Sequence, residues 1–365
     1  MQNNNYLRKV LPDQIFGTKR TKDILRINPT IAACRVEAKS IKIWVYDYNA
    51  NSLHDQQLQT IEETYSYKTN DHITWLNIDG LRKKDIEALG EYYGIHPLLV
   101  EDILSVNQRP KLDEGEGILY CLLYMLYYND SSQTVEQEQI SIVLGKNFVL
   151  TFQEDPERDV FNPIREKLKM QNSKVRQFKA DYLFYSMLDL IVDNYFIVME
   201  KIGERIEDLE DEVIKNSSEE CLVAISKLRK ELIVLKRNIT PVRDLINNIM
   251  RIENPLLDKR IIKYFKDIYD HIIQAYDLSE NYRDIMINMH DLYINNVNLK
   301  MNEAMKVMAI VTCLLAPATV IGGIFGMNFE RIPLLHNKWG FFISVAAMLL
   351  IPLWMLRKFK EKGWF

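Results

Sequence analysis

The chain reads as an α+β domain, a mixed sheet flanked by helices, joined by one very long helix to two C-terminal transmembrane helices. Three observations predict this. Residues 307–325 carry no charged side chain, and a second uncharged run covers residues 339–356 after a short polar break. Each run approaches the ~20 apolar residues that a helix needs to cross a bilayer at ~1.5 Å per residue. Between Pro255 and Pro317 there is neither proline nor glycine, so a helix over residues 256–325, about 105 Å long, meets no breaker before the membrane. Upstream, segments rich in Ile, Val, Tyr and Thr alternate apolar with polar residues, and then give way to long stretches of helical spacing.

In chain order, residues 1–30 have little periodicity and form an N-terminal arm. Residues 31–175 form the α/β domain, with strands over 41–47, 72–78, 117–128, 139–144 and 148–152. Helices cover 83–93 and 97–104, the second with Pro97 in its first turn, and a third lies near 156–171. Gly145-Lys146-Asn147 is a hairpin-type turn. Residues 176–255 are two long antiparallel helices, 181–214 and 219–250, joined at Asn216-Ser217-Ser218. The first ends in Glu204, Glu207, Asp208, Glu210, Asp211 and Glu212, and the second carries Lys227, Arg229, Lys230, Lys236 and Arg237. Those charges suit association of the two helices; the acidic patch also reads as a solvated face or a cation attractor. The stalk helix covers 256–306, the first span 307–325, an external loop 326–338, the second span 339–356 and a basic tail 357–365.

Composition narrows the function. A formal net charge of -4 with 26% charged residues argues against a nucleic-acid partner. Cys34, Cys121, Cys221 and Cys313 lie far apart, with no CxxC pair, which gives no zinc or disulfide framework and suits reduced thiols. No GxxxxGK[ST] phosphate cradle and no nucleophile–base pair stands out, so the chain is not expected to be an enzyme. The first ten residues lack the apolar core of an export signal. Lys300 and Lys306 precede the first span, and Arg357, Lys358, Lys360 and Lys362 follow the second, against only Arg331 and Lys338 in the loop. By the positive-inside rule both termini are cytoplasmic. Trp339 and Trp364 are candidate interfacial anchors.

The first span carries an unusual stripe. Steps of four and three residues give Asn298, Asn302, Met305, Ala309, Thr312, Ala316, Thr319 and Gly323, small or polar apart from Met305. Such a stripe faces another helix or an aqueous pore. Asn298 and Asn302 upstream and Asn328 downstream favour the pore. One helix pair cannot enclose a pore, so the chain is expected to be a homo-oligomer of closed cyclic symmetry. Around such an axis Asn328 forms a ring of carboxamides at the outer mouth, and Thr319, Thr312 and Asn302 repeat neutral oxygen rings further in. Neutral hard oxygens suit a hydrated Mg²⁺, which holds its first water shell tightly. Met305 and Met308 either pack against a helix or narrow the pore near its cytosolic end, and Asp291 adds a carboxylate ring beyond them. The driving force is then electrochemical, about 4.6 kcal/mol per 100 mV for a divalent ion.

The same residues resemble the CorA family of magnesium and cobalt transporters, two-span proteins whose signature is Tyr-Gly-Met-Asn. Here it reads Phe325-Gly326-Met327-Asn328-Phe329-Glu330. The resemblance extends through Gly94-Ile95-His96-Pro97, Glu101-Asp102-Ile103-Leu104, Gln108-Arg109-Pro110-Lys111, Ala180-Asp181-Tyr182-Leu183, Tyr269-Asp270-His271, Asn302-Glu303-Ala304-Met305-Lys306 and the closing basic residues. It implies a funnel-shaped homopentamer in the cell (inner) membrane, with the first span lining the pore and the second forming an outer ring. It implies Mg²⁺, with Co²⁺ or Ni²⁺, as the transported ion, and a selectivity ring at Gly326, Met327 and Asn328. It places gate-region positions on Asn302, Met305 and Met308 and an acidic ring on Asp291. A regulatory Mg²⁺ site between subunits, which closes the pore, falls on Asp102 and Asp267, with Glu101 and His271 beside them.

Two departures stand out. The loop reads Ile332-Pro333-Leu334-Leu335 where members often have Met-Pro-Glu-Leu, leaving Glu330 as its one acid. Ala316 replaces an apolar constriction, so a gate at that level should be wide or absent. The alternatives are a zinc-transporting relative of the same architecture and a membrane-anchored scaffold whose stalk only oligomerises.

Overall fold

A seven-stranded mixed sheet organises the N-terminal half of the described chain. The computed structural model describes residues 37–38, 40–69, 71–106, 108–155, 158–329, 332–334 and 337–364. The expected arm, with Glu330, Arg331, Leu335 and His336 of the expected loop, lies outside the described residues. The strands are β1 (Lys42–Tyr48), β2 (Leu53–Leu58), β3 (Ile73–Asp79), β4 (Lys111–Gly115), β5 (Ile118–Asn129), β6 (Thr134–Leu144) and β7 (Phe148–Gln153). Their order is β2-β1-β3-β7-β6-β5-β4. Only β3 and β7 pair in parallel; the other pairings are antiparallel.

Inner strands are buried on both faces, as the run Leu119, Tyr120, Cys121, Leu122 and Leu123 in β5 demonstrates. Several polar groups that enter this core are hydrogen-bonded to one another, while Tyr48 Oη and Gln153 Oε1 have no partner among the described residues. Trp75 Nε1 donates to Thr151 Oγ1 at 2.9 Å, and Thr151 Oγ1 donates to Asn77 Oδ1 at 2.7 Å. Neither edge strand was expected from the sequence. β2 contains His54, Asp55, Gln56 and Gln57, and β4 contains Lys111, Asp113 and Glu114. Polar edge strands erase the apolar alternation that marks a strand, and they discourage edge-to-edge pairing.

The helices are α1 (Lys83–Tyr93), α2 (Pro97–Leu104), α3 (Asn162–Lys169), α4 (Lys174–Gln177), α5 (Ala180–Lys215), α6 (Glu219–Arg251), α7 (Ile262–Phe325) and α8 (Gly340–Glu361). α3 is shorter than expected. α7 starts six residues later than the absence of Pro and Gly suggests, because side chains take the backbone donors ahead of it. Asn254 Oδ1 accepts from Leu256 N, Asp181 Oδ2 from Asp258 N and Asp258 Oδ1 from Arg260 N. The first turn of α7 is then clamped by rings: Tyr264 meets Phe178, Tyr182 and Tyr185, and Phe265 meets Phe184 and Tyr185.

The chain divides into two units at residues 290 and 291. Within the first, α7 runs beside α5, with Phe265, Ile268, Ile272 and Ala275 fully buried and the Tyr282 hydroxyl donating to Met199 O. α6 also meets α7, through Lys236–Glu280 at 2.5 Å and Arg243 over the Tyr276 ring at 4.8 Å. In the acidic patch of α5, Lys201–Glu204, Arg205–Glu212 and Lys215–Asp211 pair within the helix.

The second unit holds the C-terminal part of α7 and α8. Among the described residues three helices, α5, α7 and α8, are long and apolar enough to cross a membrane by length and composition. Large apolar side chains are exposed along α7 (Val307, Val311, Leu315, Val320, Ile324) and α8 (Phe341, Leu349, Leu350, Trp354). A patch on this scale marks a surface that meets lipid or protein.

Candidate functional site

Two groups of residues carry the chemistry, one in each unit. In the first unit, Glu101 and Asp102 stand on α2, whose place is set by its neighbours. Gly94 ends α1 at φ 78°, a left-handed conformation that glycine adopts freely. His96 Nδ1 then accepts from Leu98 N at 3.2 Å, capping α2, and Pro97 fills its first turn. Gly90 lets α1 and α2 touch, since a Cβ there would lie 2.6 Å from Val100 Cγ2.

The Asp102 carboxylate is not free. Lys111 Nζ lies 2.6 Å from Asp102 Oδ2 and 2.9 Å from Asp113 Oδ2. Burial alone would lower the Lys111 ammonium, but the bonds from Asp102 and Asp113 outweigh it and hold it above its usual range. Glu101 is exposed on the same helix and lines a cavity of about 900 Å³ between α1 and α2.

Asp267 and His271 lie one turn apart on α7, opposite Asp189 and Asp193, one turn apart on α5. Asp189, Asp193 and His271 bring their ligand atoms within 4.8 Å of one another. His271 Nδ1 is 3.4 Å from Asp193 Oδ1 and is a buried ring nitrogen with no hydrogen-bond partner among the described residues. Burial first, then the neighbouring Asp193, pushes the Asp189 carboxyl above its usual range; Asp267 adds to this while His271 and Lys167 oppose it. Crowded carboxylates beside an unpartnered ring nitrogen fit a divalent cation, which would relieve the repulsion and satisfy the orphan atom. Asp189 and Asp193 were not expected. Their four-residue spacing matches that of Asp267 and His271, but spacing does not say which two faces meet.

In one chain, therefore, Asp267 and His271 belong to one carboxylate group, and Asp102 belongs to another with Lys111 and Asp113.

In the second unit, Asp291, Asn302, Met305, Met308, Thr312, Thr319, Gly326, Met327 and Asn328 are all exposed. The less exposed residues of the α7 apolar run are Ile310, Leu314, Pro317, Ala318, Ile321 and Phe325. Pro317 and Ile321 share an apolar cavity with Ile351 and Met355 of α8. At ~100° per residue, Thr312 and Thr319 stand roughly 180° round the helix from the stripe Ile310, Leu314, Pro317, Ile321 and Phe325. Thr312 and Thr319 of the small and polar stripe thus face away from α8, while its Ala316 lines the cavity shared with Ile351 and Met355.

Both threonine hydroxyls bond back to their own helix, Thr312 Oγ1 to Met308 O at 2.9 Å and Thr319 Oγ1 to Leu315 O at 3.0 Å. With the proton spent on the backbone, each hydroxyl offers only oxygen lone pairs outward. Gly326-Met327-Asn328 follows the last turn of α7, where Gly326 N donates to Gly322 O at 2.9 Å. A helix C-terminus carries unsatisfied carbonyls and about −0.5 charge, which favours a cation there.

Comparison with known proteins places this geometry. Residues 70–361 match the family model of the CorA-like Mg²⁺ transporter protein. The chain is 38% identical over 327 residues to a cobalt/magnesium transport protein CorA of Thermotoga maritima, covering 89% of this chain and 93% of that one. It is 31% identical over 295 residues to a putative metal ion transporter of Bacillus subtilis, covering 80% of this chain and 91% of the other. In fold it is similar to the complete CorA magnesium transporter structure from Methanocaldococcus jannaschii, with a TM-score of 0.75 at 24% identity, over 88% of this chain and 98% of that one.

Proposed function

The chain belongs to the CorA family, and on that premise we propose that it is a channel-like transporter that moves Mg²⁺, and also Co²⁺, across the cell membrane into the cytosol. The observation that carries this reading is the α7 face that bears Thr312 and Thr319, exposed and turned away from α8, with Asn302 exposed further along the same stripe. That face is available to other copies of the chain, and several copies around an axis enclose what one cannot. The resemblance to that family implies a pentamer. α7 and α8 span the bilayer, with both termini in the cytosol.

Asn328 forms the outer ring, beside Gly326 and Met327, at the C-termini of the assembled α7 helices. Their dipoles supply negative potential there, which offsets the shortage of acids in the loop. Thr319 and Thr312 present neutral oxygens to a hydrated ion; Met308, Met305 and Asn302 narrow the cytosolic end; Asp291 concentrates cations beyond it. The membrane potential supplies the work, about 4.6 kcal/mol per 100 mV for a divalent ion.

Regulation joins the two groups of the first unit across a subunit boundary: Asp102 and Glu101 of one copy meet Asp267 and His271 of the next. Mg²⁺ bound there bridges neighbours and holds the pore closed, and its loss lets the carboxylates repel. Asp189 and Asp193 complete the donor set around His271.

Full-length protein in liposomes loaded with a Mg²⁺-sensitive dye tests the reading. Under an inside-negative potential, influx is expected, with Asn328→Ala reducing it at least tenfold. No influx by the wild type would leave only the scaffold reading. Competition by Co²⁺ and Zn²⁺ in the same assay separates a magnesium carrier from a zinc carrier.

A further inference from the structure

The segment Gln108-Arg109-Pro110-Lys111 has no part in the function described so far, yet the fold pins it firmly. Gln108 O accepts from the Tyr124 hydroxyl at 2.8 Å, Pro110 is buried, and Lys111 opens β4 in register with Leu122. Lys111 and Asp113, two residues apart on one strand, stand on the same face. On the other side, Gln139 Nε2 holds the Asp102 carbonyl at 3.0 Å. Rigid elements therefore deliver an ammonium into a fork of two carboxylates, 2.6 Å from Asp102 Oδ2 and 2.9 Å from Asp113 Oδ2.

We propose that Lys111 is a tethered competitor for the regulatory ion, holding the Asp102 carboxylate until Mg²⁺ displaces it and so setting the cytosolic Mg²⁺ concentration at which the pore closes. This rests on the regulatory reading of Asp102. An ammonium in contact with Oδ2 neutralises the charge that would draw a divalent ion, and it repels that ion from the same oxygen. Asp113 provides the ammonium with somewhere to go, since Lys111 keeps one partner when it yields Asp102. The exchange therefore strands no buried charge: the side chains of Lys111 and Asp113 are 35% and 41% exposed.

The test is a Mg²⁺ titration of protection from chymotrypsin, using full-length protein in detergent; this protease ignores lysine and glutamine and cuts only weakly after methionine, so Lys111→Gln serves as the variant that neither adds nor removes a site. Lys111→Met keeps the stem and removes the charge. It should reach half-protection at roughly fivefold lower Mg²⁺, the worth of a partly exposed ion pair, while Lys111→Arg should behave as the wild type. The Lys111→Met shift should vanish in an Asp102→Asn background. If Asp102→Asn raises the Mg²⁺ requirement but neither Lys111→Met nor Lys111→Gln lowers it, Lys111 is no competitor and the regulatory reading stands. If Asp102→Asn leaves protection unchanged, the regulatory reading fails at this residue and the proposal falls with it. Melting of each variant in EDTA, expected within about 4 °C of the wild-type temperature because only one partly exposed ion pair is lost, establishes that a changed midpoint reports binding.

Discussion

Helices α5 and α7 each contain a window that meets the length and hydropathy needed to cross a bilayer, with mean hydropathies of 1.3 and 2.2. Of the α5 window 67% is buried within the protein, against 6% of the α7 window. The difference lies in what surrounds them. α5 sets Leu183, Met187, Ile191, Tyr195 and Val198 in the core, while Asp193 and Glu200 meet solvent. Its apolar face is used up by its own chain. The apolar run of α7 has bulky residues on most of its circumference, interrupted only by the small and polar stripe, and α8 covers one side. What remains is an exposed apolar surface suited to lipid and the stripe that the proposed function assigns to other copies. Hydropathy measures how badly a helix needs cover, and not who provides it.

This contrast can be broken most severely in the core. Ile191 is fully buried on α5, and Ile191→Lys places an unpaired charge there, with an expected loss of more than about 4 kcal/mol. Thermal melting should then lose the transition of the first unit, and a wild-type transition would refute the packing described for α5. Leu315, 61% exposed on α7, should behave in the opposite way. Leu315→Arg should leave that transition in place but weaken membrane insertion by about 3 kcal/mol, read as release from membranes on carbonate extraction.

A smaller effect sharpens the comparison through pH. Burial pushes the Glu138 carboxyl up to about 7, against the backbone donors of Asp155 and Glu154 and the Tyr127 hydroxyl, which favour its charged form. Burial likewise pushes Asp79 up to about 6. Both acids bind their protons more tightly folded than unfolded. Their contribution is therefore complete below the unfolded values near 4 and is lost as pH rises through about 6 and 7. The first unit should melt lower at pH 8 than at pH 5. Glu138→Gln should remove about 2–3 kcal/mol of that difference, and an unchanged pH profile would count against the burial argument. The smallest structural change expected is Thr312→Val, within ~0.5 kcal/mol of the wild type because the hydroxyl is exposed. Liposome flux should nevertheless fall several-fold if the Thr312 oxygen faces the ion.

Much of this architecture was legible because it is periodic. Inner strands, α1, α2, α5 and α6 follow from apolar spacing, and their observed bounds lie within two residues of the expected ones, except that β6 begins at Thr134 rather than at 139. Edge strands β2 and β4 were not legible, since a strand with one open side needs no apolar alternation. The start of α7 was misplaced for a different reason: Asn254, Asp258 and the distant Asp181 capture backbone donors ahead of it. In the site, the pairs Asp189/Asp193 and Asp267/His271 share a spacing, but only packing of α7 on α5 brings His271 and Asp193 within 3.4 Å.

The sequence by itself determined the uncharged runs, the long unbroken helix, the small and polar stripe and the motif that ends it, because each depends on spacing along one element. Tertiary structure decided which apolar helix the protein covers with its own sheet. It turned Thr312 and Thr319 away from α8, and it seated Lys111 on Asp102. Periodicity assigns a residue to a face of its own helix or strand; which faces meet is settled by packing among elements far apart in the chain.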